Sequence, residues 1–235
     1  MTHLTGRERA RYVQQMFSRI APRYDLMNRL MTAGQDVRWR REVIRRAKLE
    51  AGQRLLDLGT GTGDLAGEAL QQAPDCQVVA ADFTLEMMRY GQARHLPGQP
   101  APGWSGADAL HLPFAEGCFD AVVSGYLLRN VIDVPGALAE QRRVLKPGGR
   151  MVTLDTTPPP SNLLSPLINF HLHTIIPALG RWLSADGSAY DYLPNSTEAF
   201  LSAEALAECL AQAGFKEVGF KRLMAGTMAV HWGVK

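Results

Sequence analysis

The amino-acid sequence predicts a single α/β domain: a doubly wound, mostly parallel seven-stranded sheet with helices on both faces and an antiparallel hairpin at its C-terminal end. Three observations carry that prediction. Near-continuous apolar runs at 54–58, 77–81, 119–124 and 150–154 alternate with helical periodicity at 64–72, 84–94 and 135–145, the pattern of a parallel sheet buried on both faces. A glycine-rich segment, "LLDLGTGTGDLA" at 55–66, joins the first of these runs to the first of these helices. Finally, a helix at 202–213 precedes strands at 216–223 and 227–234 that are linked only by "MAG", and so short a link permits only antiparallel pairing.

Taken in order, residues 7–18 and 36–48 have apolar positions at helical spacing, and "APRYDLMNRL" reads as the connector between them. A weak third strand precedes "ADALHLPF" at 107–114, and "KPGG" at 146–149 stops the helix before it with Pro and Gly signals. After "TTPPP" the pattern changes to an apolar, His-containing insertion at 161–183. The chain thus divides into a basic helical lid at 1–50, a ligand-binding core at 51–157, an apolar helical insertion at 158–200 and the terminal helix and hairpin at 201–235. The hairpin ending departs from a dinucleotide-binding fold, which stays parallel.

Composition narrows the function classes. The 235 residues contain three widely spaced cysteines, Cys76, Cys118 and Cys209, which suit neither a disulfide framework nor a short-spaced metal site and fit a reduced, cytoplasmic setting. The N-terminus is polar and arginine-rich, without an apolar targeting core, and no long uncharged apolar run suits a membrane span. Residues 1–46 carry eleven arginines and four acids, a net of +7, against an overall charge of +2. That basic front end suits either a solvated helical face or contact with an anionic membrane surface; no nucleic-acid-binding module is recognisable in it.

The glycine loop decides the ligand class. Gly63 is followed by Asp64 rather than Lys-Ser/Thr, which excludes a P-loop. "GTGDLA" formally satisfies a dinucleotide fingerprint with Asp82 at a suitable distance for a ribose. Yet Asp57 and Asp64 flank the loop, where a pyrophosphate requires amides and no carboxylates. A ligand with positive charge and no phosphate fits better: S-adenosylmethionine, whose ammonium and sulfonium suit Asp57, with its ribose hydroxyls on Asp82 and the backbone of Gly59 and Gly61 in close approach. Asp108 is a candidate acceptor for the adenine amino group, or a simple turn residue. The strand "CFDAVVSGY" ends at the sheet edge where open α/β proteins place their sites, and "LLRNV" follows it.

The segments "LDLGTGTGDLA", "ADFTLEMM", "LPFAEGCFDAVV" and "RRVLKPGG" resemble the motif series of class I (Rossmann-like) S-adenosylmethionine-dependent methyltransferases. Within that class the chain resembles the menaquinone and ubiquinone biosynthesis C-methyltransferases, through "MFSRIAPRYDLMNRLMTAGQDVRWRR" at 16–41, "LRNV" at 128–131, "YDYLPNS" at 190–196 and "AGTMAVHWG" at 225–233. The resemblance implies cofactor contacts from Thr62, Asp82, Asp108, Ala109 and Gly125, the last standing where family members often have serine. "LLRN", "MTAG" and "LDTTPPP" also depart from the usual family wording. The implied reaction is methyl transfer to a ring carbon of a reduced polyprenyl quinone such as a demethylmenaquinol.

Physical chemistry states what such a site needs. The ring carbon becomes nucleophilic when a quinol hydroxyl ionises, which at pH 7 costs roughly 4 kcal/mol for a tyrosine-like group. Arg129 is the candidate to stabilise the resulting oxyanion, and its own pKa makes it a poor base. Asn130 is a candidate to orient the hydroxyl, with water, His231 or a carboxylate to take the proton; a helix cap and a packed strand residue are the ordinary uses of Asn130 and His231. The resemblance places Tyr24 and Asn28 over the site as a lid. The apolar stretch 162–183 suits a polyprenyl tail, a membrane surface, or packing in the core or a homodimer. Two other readings remain open from the sequence: a methyltransferase acting on another aromatic or lipid acceptor, and a catalytically silent cofactor-binding partner in a quinone-synthesis assembly. No metal site is expected.

Overall fold

The structure, a computed structural model, describes residues 6–94, 98, 100–158, 170, 174, 175, 178, 196, 197 and 199–235. Most of the apolar insertion at 161–183 and of "YDYLPNS" lies outside the described residues. Helices α1 (Gly6–Ile20), α2 (Tyr24–Met31) and α3 (Asp36–Ala47) lead into strand β1 (Arg54–Leu58), helix α4 (Asp64–Gln72), β2 (Gln77–Asp82), α5 (Leu85–Ala93), β3 (Gly103–Gly106), β4 (Phe119–Gly125), α6 (Val134–Val144) and β5 (Leu145–Thr156). A last helix, α7 (Ala203–Gln212), precedes β6 (Lys216–Leu223) and β7 (Met228–Val234).

The seven strands form one sheet in the order β3-β2-β1-β4-β5-β7-β6. The first five are parallel, and β7 pairs antiparallel with both β5 and β6, as the terminal helix-strand-strand pattern predicts. Strand order reverses between β1 and β4, so the carboxyl ends of these strands diverge into the crevice where ligands of open α/β sheets bind. Leu55, Leu56, Phe119, Leu145, Met151 and Leu154 are fully buried, each worth about 1.5–3 kcal/mol of burial. One core cluster joins Trp39, Val43 and Ile44 of α3 to α4 and the sheet; another joins Leu138 of α6 and Leu206 and Leu210 of α7 to the opposite face. A separate small cluster, Met16, Ile20 and Met27, belongs to the N-terminal helices alone.

Caps explain two of the helix starts. Asp133 accepts from Gly136 N at the head of α6, and Ser202 accepts from Ala205 N at the head of α7. Two sequence expectations are corrected. Residues 21–30 are not a plain connector: a 3-10 turn at Ala21–Arg23 leads into α2, whose apolar side places Met27 in the small N-terminal cluster. Strand β5 begins at Leu145, not at 150, because Leu145 already pairs with Phe119 across a register shift. The "KPGG" segment is the entry of that strand: Gly148 N donates to Lys235 O (3.1 Å), Lys235 N donates to Gly149 O (2.9 Å), and Lys146 Nζ bonds the Asp120 carboxylate.

Candidate active site

The loop after β1 is shaped by its glycines. Gly59, Gly61 and Gly63 have φ of +69°, +57° and +87°, a region that side chains disfavour. A Cβ on Gly59 would meet Leu127 at 2.9 Å, and one on Gly63 would meet Trp104 at 2.7 Å. Backbone bonds hold the turn against the next strand: Gly59 N and Thr60 N both donate to Ala81 O, and Gly61 N donates to the Asp82 carboxylate (2.8 Å). The other Asp82 oxygen accepts from Thr84 N (2.7 Å). Burial pushes the Asp82 carboxyl up from its ordinary value.

Asp57, fully buried beneath the loop, is the most unusual charge in the site. One oxygen accepts from Thr60 Oγ1 (2.5 Å) and Ala66 N (2.9 Å), while Oδ1 has no partner. Burial pushes this carboxyl up to about 7. An orphaned buried carboxylate oxygen wants a proton or a cation.

Two adjoining cavities open at the strand ends. The larger, about 160 Å³, lies between α1, the β2–α5 turn and the segment after β4; the smaller, about 60 Å³, lies between α2, α3 and the glycine loop. Asp82, Asp108, Ala109 and Asn130 line the larger, and Asn28, Asp57 and Thr62 line the smaller. Gly59, Gly61, Gly125 and Tyr24 line both, as does Tyr126. The structure therefore gathers eleven of the thirteen residues singled out from the sequence.

The other two lie elsewhere, for different reasons. Arg129 is buried behind the wall: its N donates to Asp155 Oδ2 (3.2 Å), its Nε is 3.9 Å from Asp155 Oδ1, and its guanidinium sits 5.1 Å from the Tyr126 ring centre. His231 sits inside the sheet on β7, opposite Thr153 and Phe220. Its Nε2 is 2.8 Å from Ala203 O and its ring stacks on Phe220. Burial lowers its pKa, so the neutral ring donates to the carbonyl and lines neither cavity.

Several polar groups are already engaged. Asn130 Nδ2 donates to Tyr126 O (2.7 Å), Asp108 accepts from Leu110 N (2.9 Å), and Thr62 Oγ1 donates to Asp25 (2.7 Å). Asp25 also pairs with Arg94, whose Nη2 donates to Thr62 O (2.7 Å). Arg40 of α3 bridges Asp36 and Asp64. Sequence reasoning missed Asp25, Arg40, Tyr126 and Asp155. The end of an apolar strand signalled Tyr126 and Asp155, whereas nothing distinguishes Arg40 from its arginine neighbours before the fold is known.

The donor set fits S-adenosylmethionine, the cofactor the resemblance implies. In the smaller cavity the Asp57 carboxyl suits an ammonium, beside Arg40, whose guanidinium is held by Asp36 and Asp64; in the larger, Asp82 suits ribose hydroxyls, and Asp108 with apolar neighbours suits a base. Among the described residues no cluster of His, Cys, Asp or Glu suits a metal ion.

Comparison with known proteins gives the chain a family and its fold neighbours. The sequence profile of the ubiE/COQ5 methyltransferase family matches residues 4–235. The ubiquinone/menaquinone biosynthesis C-methyltransferase UbiE of Desulfotalea psychrophila is 50% identical over 223 residues, covering 95% of this chain and 90% of that protein. The demethylmenaquinone methyltransferase of Thermus thermophilus is 45% identical over 93% of this chain and 99% of its own length. Among solved structures, the [4+2]-cyclase SpnF superposes with a TM-score of 0.70 at 18% identity, over 98% of this chain and 96% of its own. Haemonchus contortus phosphoethanolamine N-methyltransferase 2, solved with S-adenosyl-L-methionine, gives 0.64 at 16% identity, over 84% and 52%. These last two likenesses are of fold.

Proposed function

We propose that this chain, which belongs to the ubiE/COQ5 methyltransferase family, transfers a methyl group from S-adenosylmethionine to a ring carbon of a reduced polyprenyl quinone, with demethylmenaquinol as the acceptor. The observation that carries the reading is the two-part cavity, with an unpaired buried carboxylate at one end and an apolar-walled chamber at the other. It stands beside relatives of that named activity at 45–50% identity over nearly the full chain.

The cofactor supplies an electrophilic methyl on its sulfonium; the protein must position it and make the acceptor carbon nucleophilic. Asp57 and Arg40 anchor the amino-acid end, Asp82 and Asp108 the nucleoside. Arg129, held by Asp155, places positive charge behind Tyr126 and favours the ionised form of the acceptor hydroxyl. Asn130 clasps the turn that carries both residues and faces the acceptor. With His231 packed in the sheet, water or a cavity carboxylate takes the proton. Val13, Gln14 and Phe17 of α1 roof the larger cavity, and α1 and α2, with Tyr24 and Asn28, act as the lid that excludes water.

An amphiphilic acceptor also needs a route in. Leu26 and Leu30 are exposed on α2, and Phe83 and Ile132 are exposed at the rim of the larger cavity. Arg23 precedes the first pair in the chain, and Arg29, which also pairs with Asp36, lies between its two members. We read this face as docking on an anionic membrane surface at the cytoplasmic side. No described helix is long and apolar enough to cross a membrane.

The test is an anaerobic assay with methyl-labelled S-adenosylmethionine and chemically reduced demethylmenaquinone, set against a benzoquinol precursor and read by mass spectrometry. Label on a naphthoquinol ring carbon is expected. Label on the benzoquinol alone would move the substrate, and no label on either, with cofactor binding intact, would favour another acceptor or a silent partner.

A further inference from the structure

The two cavities meet at one stretch of shared wall. Three of its residues are glycines, Gly59, Gly61 and Gly125; the other two are Tyr24 and Tyr126. A ligand that fills both cavities passes between two phenols over a glycine floor. If its nucleoside takes the larger cavity and its amino-acid end the smaller, its sulfur lies at this waist.

Tyr126 is held there against its backbone preference. Its φ is +59°, a left-handed conformation that β-strand residues with large side chains avoid. Tyr126 N donates to Leu154 O at 2.7 Å, and Tyr126 O accepts from Asn130 Nδ2 at 2.7 Å, which pins the turn on both sides. Tyr24 bonds Asn28 through its side chain. Burial raises both phenol pKa values, so both rings are neutral at physiological pH.

The surrounding field favours a cation. Asp36, Asp57 and Asp64 line the smaller cavity and Asp82 the larger, with Arg40 as the cation among them. Arg40 is bridged between Asp36 and Asp64; the guanidinium of Arg129 lies beside Asp155 and 5.1 Å from the Tyr126 ring centre, so the sulfonium would meet the waist from the side away from Arg129.

We propose that Tyr24 and Tyr126 form a waist that reads the sulfonium of the cofactor, their ring faces and phenol oxygens attracting its positive charge and losing that attraction for the neutral thioether product. The proposal rests on S-adenosylmethionine as the cofactor but not on the identity of the acceptor. A buried carboxylate at the same point would attract the cation more strongly, but would be left unpaired beside the product. Neutral phenols avoid that penalty. An aromatic face desolvated against a cation gains up to roughly 30-fold in affinity, and an oxygen accepting from polarised C–H groups about two- to fivefold.

The experiment is calorimetric titration of the full chain with S-adenosylmethionine and, separately, S-adenosylhomocysteine. The variants are Tyr126→Phe, Tyr24→Phe, their double and Tyr126→Leu. Phenylalanine keeps the ring and the backbone constraint and removes the oxygen, at Tyr24 together with its bond to Asn28. The double Phe variant is expected to weaken the sulfonium ligand about tenfold and leave the thioether within twofold. Tyr126→Leu, its folding checked by thermal melt, is expected to shift the same ratio further. Parallel weakening of both ligands, or an unchanged ratio in the double Phe variant, would overturn the proposal. Failure of the folded wild type to bind either ligand would instead sink the cofactor reading, and this assignment with it.

Discussion

Helices α1 and α2 and the strand ends beneath them enclose the same cavities but are held by different forces, whereas α3 is packed into the sheet core. The floor is continuous with the sheet: Leu55, Leu58, Val122 and Leu154 are buried, and the glycine loop hangs from backbone hydrogen bonds. The roof has only its own small apolar cluster, and polar bonds tie it to the floor: Gln14 to Phe83 O, Ser18 to Glu86, Asp25 to Thr62 and Arg94, and Tyr90 to Pro22 O. Polar bonds of this exposure exchange readily with water. The contrast fits a rigid floor that positions and a roof that opens for ligand exchange.

The strongest test of the floor is its buried charge. Replacing Asp57 by Asn should weaken S-adenosylmethionine by roughly 100-fold, the loss of a charge-assisted bond in a dry site. The same variant should alter the pH dependence of the ligand-free protein. Asp57 titrates near 7 when folded against 3.8 as a free side chain, so between those values the folded chain holds the extra proton and stability falls as pH rises. Burial raises Asp82 and Asp155 in the same direction. Wild type should therefore melt lower at pH 8 than at pH 5.5, with a flatter slope in Asp57→Asn; equal slopes would show that the orphaned oxygen is paired in solution.

Steric closeness is the next hold on the floor. A Cβ at Gly91 of α5 would lie 2.4 Å from Thr62 O and 2.7 Å from the Trp104 ring. The oxygen is backbone and cannot step aside. Gly91→Ala should cost about 1–3 kcal/mol, a drop of several degrees in Tm for a chain of this size, together with weaker cofactor binding. A melt unchanged within a degree would mean that the helix slides freely over the loop and the floor is not rigid.

The roof should behave in the opposite way. Asp25→Asn removes the ion pair with Arg94 while leaving the Thr62 bond in place. Because the pair is partly exposed, stability should change by less than about 1 kcal/mol. Cofactor dissociation, followed by stopped flow, should quicken about threefold, and added salt should reproduce much of that in wild type. A large loss of Tm with unchanged dissociation would reverse the assignment of roof and floor.

What could be read in advance follows the same division. Strands β1, β2 and β4, the glycine turn and the terminal hairpin are local patterns of apolar runs and punctuation, so periodicity located them. The placement of Asp57 and Asp82 followed from their position at strand ends. Other features are settled by contacts distant in sequence. Leu145 becomes a strand residue because Phe119 offers it a partner, Arg40 becomes a site residue because α3 lies over Asp64, and Tyr126 is turned into the waist by its bond to Leu154. None of these contacts leaves a mark in the sequence window around the residue it governs.

His231 gives the smallest expected effect and the sharpest check on that lesson. The sequence offered it as a proton acceptor near the acceptor ring; the fold buries it between β5 and β6, donating to Ala203 O. With its Nδ1 buried and unpartnered and its pKa lowered by burial, it is a neutral packing residue, and protonation would place an unpaired charge in the sheet. His231→Gln keeps an amide that can reach the same carbonyl. It should leave kcat and the pH–rate profile within about twofold while lowering Tm slightly, by the cost of one imperfect hydrogen bond of about 1 kcal/mol. A fall in kcat of tenfold or more at unchanged Tm, with loss of a limb of the pH profile, would put His231 back into the proton path. It would also require the hairpin to move relative to the cavity during turnover, making β6 and β7 part of the mobile roof.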